Sequence, residues 1–415
     1  MALPNTADVV VVGAGLAGLA AATRLQQAGI ETVLVEQSDG VGGRVRTDVV
    51  DGYRLDRGFQ LLNPAYPEAQ ALLDLDALVL QSFDAGLVVA SGDDRHLLGD
   101  PRRLPRSLPA DLTAPVGTLR QKLALLRWLG PVGLGPASRV RAAADRPFVD
   151  ELRARGLDGD LTDRALRPFL SGVLAEEELQ SSQRMVSLLL RAFVRGTPAV
   201  PSQGMQAMPD QLAAKLAPDT LHLGVRVTGL TGGGVDTDQG SIRARAVVSA
   251  VDGVAATDLG APGSAMRALT TWWYAAEEAP HSSALLHVDG DRDGPLANTV
   301  VVSNAAPTYA PVGRALVAAT AVGTHPEATA EAEARAQAAR LLGDDPTRWE
   351  LLRSDVITHA LPTHPAGQSL RQPVALGDGR FVCGDHRDTP SIQGALVSGR
   401  RTADAVRRAL GRTAT

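Results

Sequence analysis

The chain holds one cysteine, Cys383, and two lysines, Lys122 and Lys215, in 415 residues. A lone cysteine excludes an internal disulfide and a cysteine-based zinc site, and it fits a reducing compartment. With lysine so scarce, arginine supplies nearly all the positive charge, and chemistry that needs an ammonium group has two positions to draw on. No apolar run approaches the roughly 20 residues of a membrane span. The first apolar stretch, Val9 to Val12, is broken by Gly13, so it does not read as a secretory signal. The net charge of −5 gives no basic footprint for nucleic acid. The histidines are scattered, and no spacing suits a metal centre, so no metal is expected. These absences together predict a cytoplasmic protein.

What is present points elsewhere. Hydrophobic residues make up 44% of the chain, enough for a sizeable core, and the length allows two domains. Glycine, at 42 residues, exceeds the usual level of roughly 7%. Such an excess suits close backbone approaches, as around a nucleotide.

Residues 8 to 36 read DVVVVGAGLAGLAAATRLQQAGIETVLVE. Val9 to Val12 is a β-branched run expected of a strand buried on both faces. Gly13, Gly15 and Gly18 then form G-x-G-x-x-G, a helix is predicted over Leu16 to Gln27, and Thr32 to Val35 is a second buried strand closed by Glu36. Gly13 makes the tight turn, Gly15 lets the backbone approach a pyrophosphate, and Gly18 lets helix and strand pack closely. The helix N-terminus offers unpaired N–H groups and a favourable dipole to phosphates. Glu36 can accept from ribose hydroxyls. The alternative, a glycine-rich turn without a ligand, does not account for the acid at the end of the second strand.

The next segment, GVGGRVRT from Gly40 to Thr47, brings a second glycine pair with Arg44 and Arg46. It resembles the GG-R-x-x-T motif of FAD-dependent amine oxidases, protoporphyrinogen oxidases and phytoene-desaturase-like enzymes. That resemblance implies an α/β fold in which a Rossmann-type FAD-binding domain is interleaved with a mixed α+β substrate-binding domain. It implies non-covalent FAD held by Gly13, Gly15, Ala17, Gly18, Glu36, Gln37, Gly43, Arg44 and Arg46. Gly58, Phe59, Gln60 and Leu61 would line the flavin ring, and Val227 would meet the adenine through its backbone. RFVCGD, 380 to 385, matches the strand before the last flavin contact, with Gly384 and Asp385 at the ribityl chain. Thr389 and Pro390 read as N-cap and first residue of a C-terminal helix. Its Ile392, Gln393 and Ala395 would lie near the flavin, where the positive helix end stabilises reduction. Cys383 reads as an inert thiol inside the strand.

By the same resemblance, segments 1–95, 203–261 and 351–415 would form the FAD domain, and 96–202 and 262–350 the substrate domain. The stretch 118 to 135 mixes leucines with Arg120, Lys122 and Arg127, which suits either packing within its own domain or peripheral contact with a membrane. In TTWWYAA, 270 to 276, Trp272 and Tyr274 share one strand face and Trp273 takes the other, so one face is expected to wall the substrate pocket or to pack as core. Gln60, Trp272, Tyr274 and His386 are the candidate pocket residues. ATAEAEARAQAARLL, 328 to 342, reads as a solvated surface helix.

The resemblance leaves the reaction open. Amine-oxidase relatives typically carry a lysine that bridges by water to flavin N5, and aromatic side chains that cage the amine. Neither lysine here falls between about 250 and 350, and 386 to 393 hold no aromatic residue. The expectation is therefore desaturase-like dehydrogenation of a small or lipophilic organic substrate, apolar in character, by hydride transfer to flavin N5, with O₂ or a quinone as acceptor. The alternatives are an amine oxidase releasing H₂O₂, and a flavin-binding protein or isomerase without net oxidation. No catalytic base is assigned; Gln60, Tyr274, His386 and Arg387 are candidates.

Overall fold

The structure, a computed structural model, describes residues 3–411 apart from 101, 105, 106, 108–113 and 232. The chain begins with β1 (Thr6–Val12), α1 (Leu16–Gln27) and β2 (Thr32–Glu36), the elements expected from the glycine motif. It continues through β3 (Gly86–Ser91) and β4 (Asp94–Gly99) to helices α2 (Leu119–Leu134), α3 (Arg167–Leu174) and α4 (Gln183–Arg195). Next come β5 (Leu221–Leu223), β6 (Val227–Thr231), β7 (Gly234–Thr237) and β8 (Gly240–Ser249). Then follow β9 (Met266–Ala276), β10 (Leu286–Asp289), β11 (Leu296–Val301), β12 (Ala315–Val322), α5 (Ala328–Leu342) and β13 (Trp349–Pro362). The last elements are β14 (Arg380–Val382) and α6 (Ile392–Ala409).

Two sheets organise these elements, as the α/β expectation with an interleaved second sheet requires. The eight-stranded sheet runs β6-β7-β8-β1-β2-β5, with β14 also paired to β8 and the short strand Ala375–Gly377 paired to β14. β1 pairs in parallel with β2 and β8, and β2 in parallel with β5. Parallel strands are buried on both faces, and Val9 to Val12 and Thr32 to Glu36 are all buried. α1 and α6 meet through small residues: a Cβ on Gly399 would stand 2.3 Å from the Ala17 carbonyl oxygen. Residues 221 to 230, which alternate in sequence like a single strand, form two short ones, because β5 pairs with β2 while β6 turns to β7.

The seven-stranded sheet runs β13-β9-β12-β11-β10-β3-β4. The expected boundaries at 95 and 350 therefore fall inside this sheet: the hairpin β3–β4 and the strand β13 both belong to it. β13 pairs antiparallel with β9 from Trp349 to Pro362. One face of the sheet packs on α5, burying Trp272, Tyr274 and Trp349 against Ala334, Ala338 and Leu342. α5 is thus not a wholly solvated helix, since its alanines at i and i+4 spacing form a flat packing stripe. The other face carries Leu269, Thr271 and Asn298 towards a cavity of about 1090 Å³ that lies between the two sheets and the helices α2, α3 and α4.

Candidate active site

The cavity has a channel and a chamber. The channel begins at the turn between β1 and α1. Gly13 has φ +104°, and a Cβ there would press the Ala250 carbonyl oxygen at 2.9 Å. A Cβ on Gly18 would fall 1.9 Å from the Gly13 carbonyl oxygen, so helix and strand pack as closely as the motif predicts. Gly15 differs: it is the N-cap of α1, lines the cavity, and a Cβ there would meet no atom within 4 Å. That open cradle at a helix N-terminus is the feature a diphosphate needs. Gly42 and Gly43, at φ +114° and +59°, close over it, with the Gly42 N–H donating to the Ala14 carbonyl at 2.8 Å.

Glu36 lines the channel at the end of β2. Its Oε2 accepts from the Ala14 N–H at 2.8 Å, and its Oε1 from the Ser38 N–H and hydroxyl at 2.9 and 2.7 Å. A carboxylate offers about four lone-pair sites, which leaves capacity for ribose hydroxyls. Ala17, Gln37 and Val227 line the same end. Gly18 does not, because it is spent on packing. Arg46 does not either: its guanidinium turns away to pair with Asp39 at 2.7 Å.

Further along, the ends of the chain meet. Arg44 pairs with Asp385 at 2.7 Å, across 341 residues of sequence, and also donates to the Ala360 carbonyl at 2.8 Å. Burial works against the Arg44 charge, but the Asp385 carboxylate outweighs it and holds the guanidinium pKa above its ordinary value. Gln60 donates to the carbonyl oxygens of Arg44 and Arg57 at 2.7 and 2.9 Å, which fixes the orientation of its amide. Gly58, Phe59, Gln60 and Leu61 all line the cavity, as do Gly384, Asp385, Ile392 and Ala395. Gln393 does not: its side chain accepts from the Glu68 N–H at 3.0 Å, behind the helix. The N-cap of α6 is Ser391, two residues beyond the expected Thr389, and its hydroxyl accepts from the Gly394 N–H at 3.1 Å. Cys383 is fully buried, and burial pushes its thiol up to about 12, so it is inert as expected.

The chamber is mainly apolar, although Asp84, Asp100, Arg102 and Arg103 also reach the cavity lining. Leu125, Leu129, Phe169, Leu189, Phe193 and Ile357 contribute to its wall, and Phe169 meets Phe193 edge-on with ring centres 5.5 Å apart. Trp272 and Tyr274 are absent from that wall, because their strand face packs on α5 instead. His386 also misses the cavity. It is 3% exposed, neither ring nitrogen has a partner, and burial holds its pKa down at about 4. Arg387 donates to the Pro373 carbonyl and lines nothing. Of the four pocket candidates, Gln60 alone reaches the cavity.

The sequence reading missed the polar groups of the opposite face. Asp355, Thr271, Thr320 and Asn298 stand in register across four neighbouring strands. Asp355 and Thr271 accept the Gly58 and Phe59 N–H groups, each at 3.4 Å, and so hold the loop against the cavity. Thr271 and Asn298 line it themselves. The Asn298 Oδ1 is buried without a hydrogen-bond partner. The available signal was the alternation of β9 itself, which gives Thr271 the face opposite Trp272. Neither lysine takes part: Lys122 and Lys215 donate to the Ala114 and Leu72 carbonyls, outside the cavity. Among the described residues no cluster of side chains suits a metal ion.

Comparison with known proteins bears on this geometry. Protoporphyrinogen oxidase 2 of Arabidopsis thaliana is 27% identical over 261 residues, covering 54% of this chain and 50% of that protein. Coproporphyrinogen III oxidase of Mycobacterium tuberculosis is 29% identical over 215 residues, covering 48% of this chain and 44% of that protein. The chain thus spans about half the length of the curated relatives it matches. Among solved structures, cyclohexylamine oxidase from Brevibacterium oxydans superposes with a TM-score of 0.70 at 14% identity, covering 98% of this chain and all of that one, which shows a shared fold. The model of the flavin-containing amine oxidoreductases matches residues 16–407, nearly the whole sequence, and the chain belongs to that family.

Proposed function

We propose that the chain binds FAD non-covalently along the channel and dehydrogenates a small, apolar substrate held in the chamber. The observation that carries this reading is the continuity of one cavity. It runs from the bare backbone at Gly15, past the Arg44–Asp385 pair, into a chamber walled by leucine and phenylalanine. The α1 N-terminus and the Gly42–Gly43 turn bind the diphosphate. Glu36 accepts from the adenosine ribose. Asp385, oriented by Arg44, would accept from the ribityl chain, and the α6 N-terminus would stabilise the charge the ring gains on reduction. FAD bound there supplies a two-electron acceptor at N5. The chain's own part is to hold the substrate carbon against that atom and to keep water out. The wall has no aromatic side chain from 386 to 393 and no lysine, which favours an apolar substrate over an amine. The domain division is part of the proposal, with the substrate-side segments extended to include β3, β4 and β13. Either O₂ or a quinone can serve as acceptor.

The test is an absorbance spectrum of the purified protein, then anaerobic mixing with amines, polyenes and porphyrinogens. The visible bands of oxidised flavin are expected, and they should bleach with an apolar donor. Absence of the bands after FAD is added would overturn the cofactor assignment. Bleaching by amines alone would overturn the substrate class.

A further inference from the structure

The helix α2 turns an unusual surface outward. Leu119, Leu123, Leu126 and Leu134 are 55%, 57%, 58% and 75% exposed. With about 3.6 residues per turn, these positions form one row along the helix. Gly130 continues the row, and a Cβ there would meet nothing within 4 Å. Single exposed leucines are ordinary, but four in one row are not. The opposite side of α2 is occupied normally, with Trp128 and Val132 buried in the helical core.

The same row borders the cavity. Leu126, Gly130 and Leu134 are both part of the outer row and part of the cavity lining. The leucine row therefore reaches from the outside of α2 to the cavity lining. The helix itself carries charge of one sign. Residues 114 to 144 contain Arg120, Lys122, Arg127, Arg139 and Arg141 and no aspartate or glutamate, in a chain whose net charge is −5. Helical spacing sets Arg120 and Arg127 on one flank of the leucine row and Lys122 on the other.

We propose that this face of α2 docks on an anionic lipid surface and that the substrate passes from the bilayer directly into the chamber. The proposal rests on the apolar-substrate reading above. A leucine row flanked by cations is complementary to acyl chains beneath acidic headgroups. A second copy of the chain is the poorer occupant. A two-fold contact through this face would set the same cations against one another.

The experiment is co-sedimentation of the FAD-treated protein with vesicles of phosphatidylcholine alone and of equimolar phosphatidylcholine and phosphatidylglycerol. The wild-type chain is expected to pellet with the mixed vesicles, less so as salt is added. L119E/L123E changes two leucines that do not line the cavity and should lower that binding by about tenfold or more. R120Q/R127Q should reduce the preference for the acidic vesicles. Failure of the wild type to pellet with either vesicle, or unchanged binding by L119E/L123E, overturns the proposal. So does a dimer in solution that L119E/L123E dissociates. Flavin absorbance is read on the same samples, so loss of the cofactor assignment and loss of the docking face are seen separately.

Discussion

Two glycines three residues apart should fail in opposite ways. Gly15 and Gly18 belong to one motif, yet their surroundings differ. A side chain at Gly15 enters open cavity, and its φ of −71° and ψ of 175° suit any residue. G15V should therefore leave the flavin-free protein within about 0.5 kcal/mol of wild type, as for a surface substitution. The valine would instead stand where the diphosphate approaches. Charge-assisted hydrogen bonds contribute about 1.5–3 kcal/mol each. Losing two costs about 3–6 kcal/mol, a weakening of FAD binding by about 10²–10⁴. G18V has the reverse problem, since its Cβ would lie 1.9 Å from the Gly13 carbonyl oxygen and 3.1 Å from the Ala250 Cβ. α1 would have to move off β1, and a loss of more than about 4 kcal/mol, or insolubility, is expected. The assay is urea unfolding of both flavin-free variants together with FAD titration of G15V. Wild-type FAD affinity in G15V would refute the placement of the diphosphate. Equal destabilisation by the two variants would refute the packing argument.

Other expectations concern the joins of the structure. R44M strands the Asp385 carboxylate, whose side chain is 6% exposed, and should cost about 3 kcal/mol in urea unfolding. R44M/D385N should recover part of that, and full stability in R44M would contradict the pairing. On acidification, His287, His364 and His386 matter most, because burial holds each at about 4 in the folded chain. Their folded pKa values lie below the unfolded value of about 6.5, so stability is intact above that pH and is lost as pH falls towards 4. Each contributes up to about 3 kcal/mol. Asp56 acts oppositely: burial raises it to about 6, and its contribution is lost as pH rises through that value. The unfolding midpoint should fall steeply between about pH 6.5 and 4, and H364N should flatten that limb. An unchanged slope in H364N would count against the assignment. N298L removes a buried oxygen without a partner and should leave stability unchanged or raise it by about 1 kcal/mol, while raising KM for the compound that reduces the flavin. A destabilised N298L would mean the amide has a structural partner.

The nucleotide channel was legible in the sequence because its determinants are local. Gly13, Gly15 and Gly18 serve a turn, a cradle and a contact within six residues, and β-branched runs mark the strands on each side. The Arg44–Asp385 pair was legible as two members and not as a bond. Nothing in either segment says which partner a residue 341 positions away will be. The chamber was read less well, and β9 shows why. Its alternation was read correctly, with Trp272 and Tyr274 on one face and Trp273 on the other. A period of two separates the faces without saying which of them meets a cavity. The large rings drew attention to the wrong side. A big aromatic side chain fills space, so a strand face crowded with them is a packed face, here against the alanines of α5. A cavity persists where the side chains are too small to close it, and on β9 that is the face of Leu269 and Thr271. Trp273 shares their parity but sits further along the strand, where its Nε1 donates to Asp355 at 3.1 Å and helps fix the loop that carries Phe59. The residues that shape a substrate pocket are thus the ones a sequence makes least conspicuous: a threonine, an asparagine and the leucines of a helix whose outer face is exposed among the described residues.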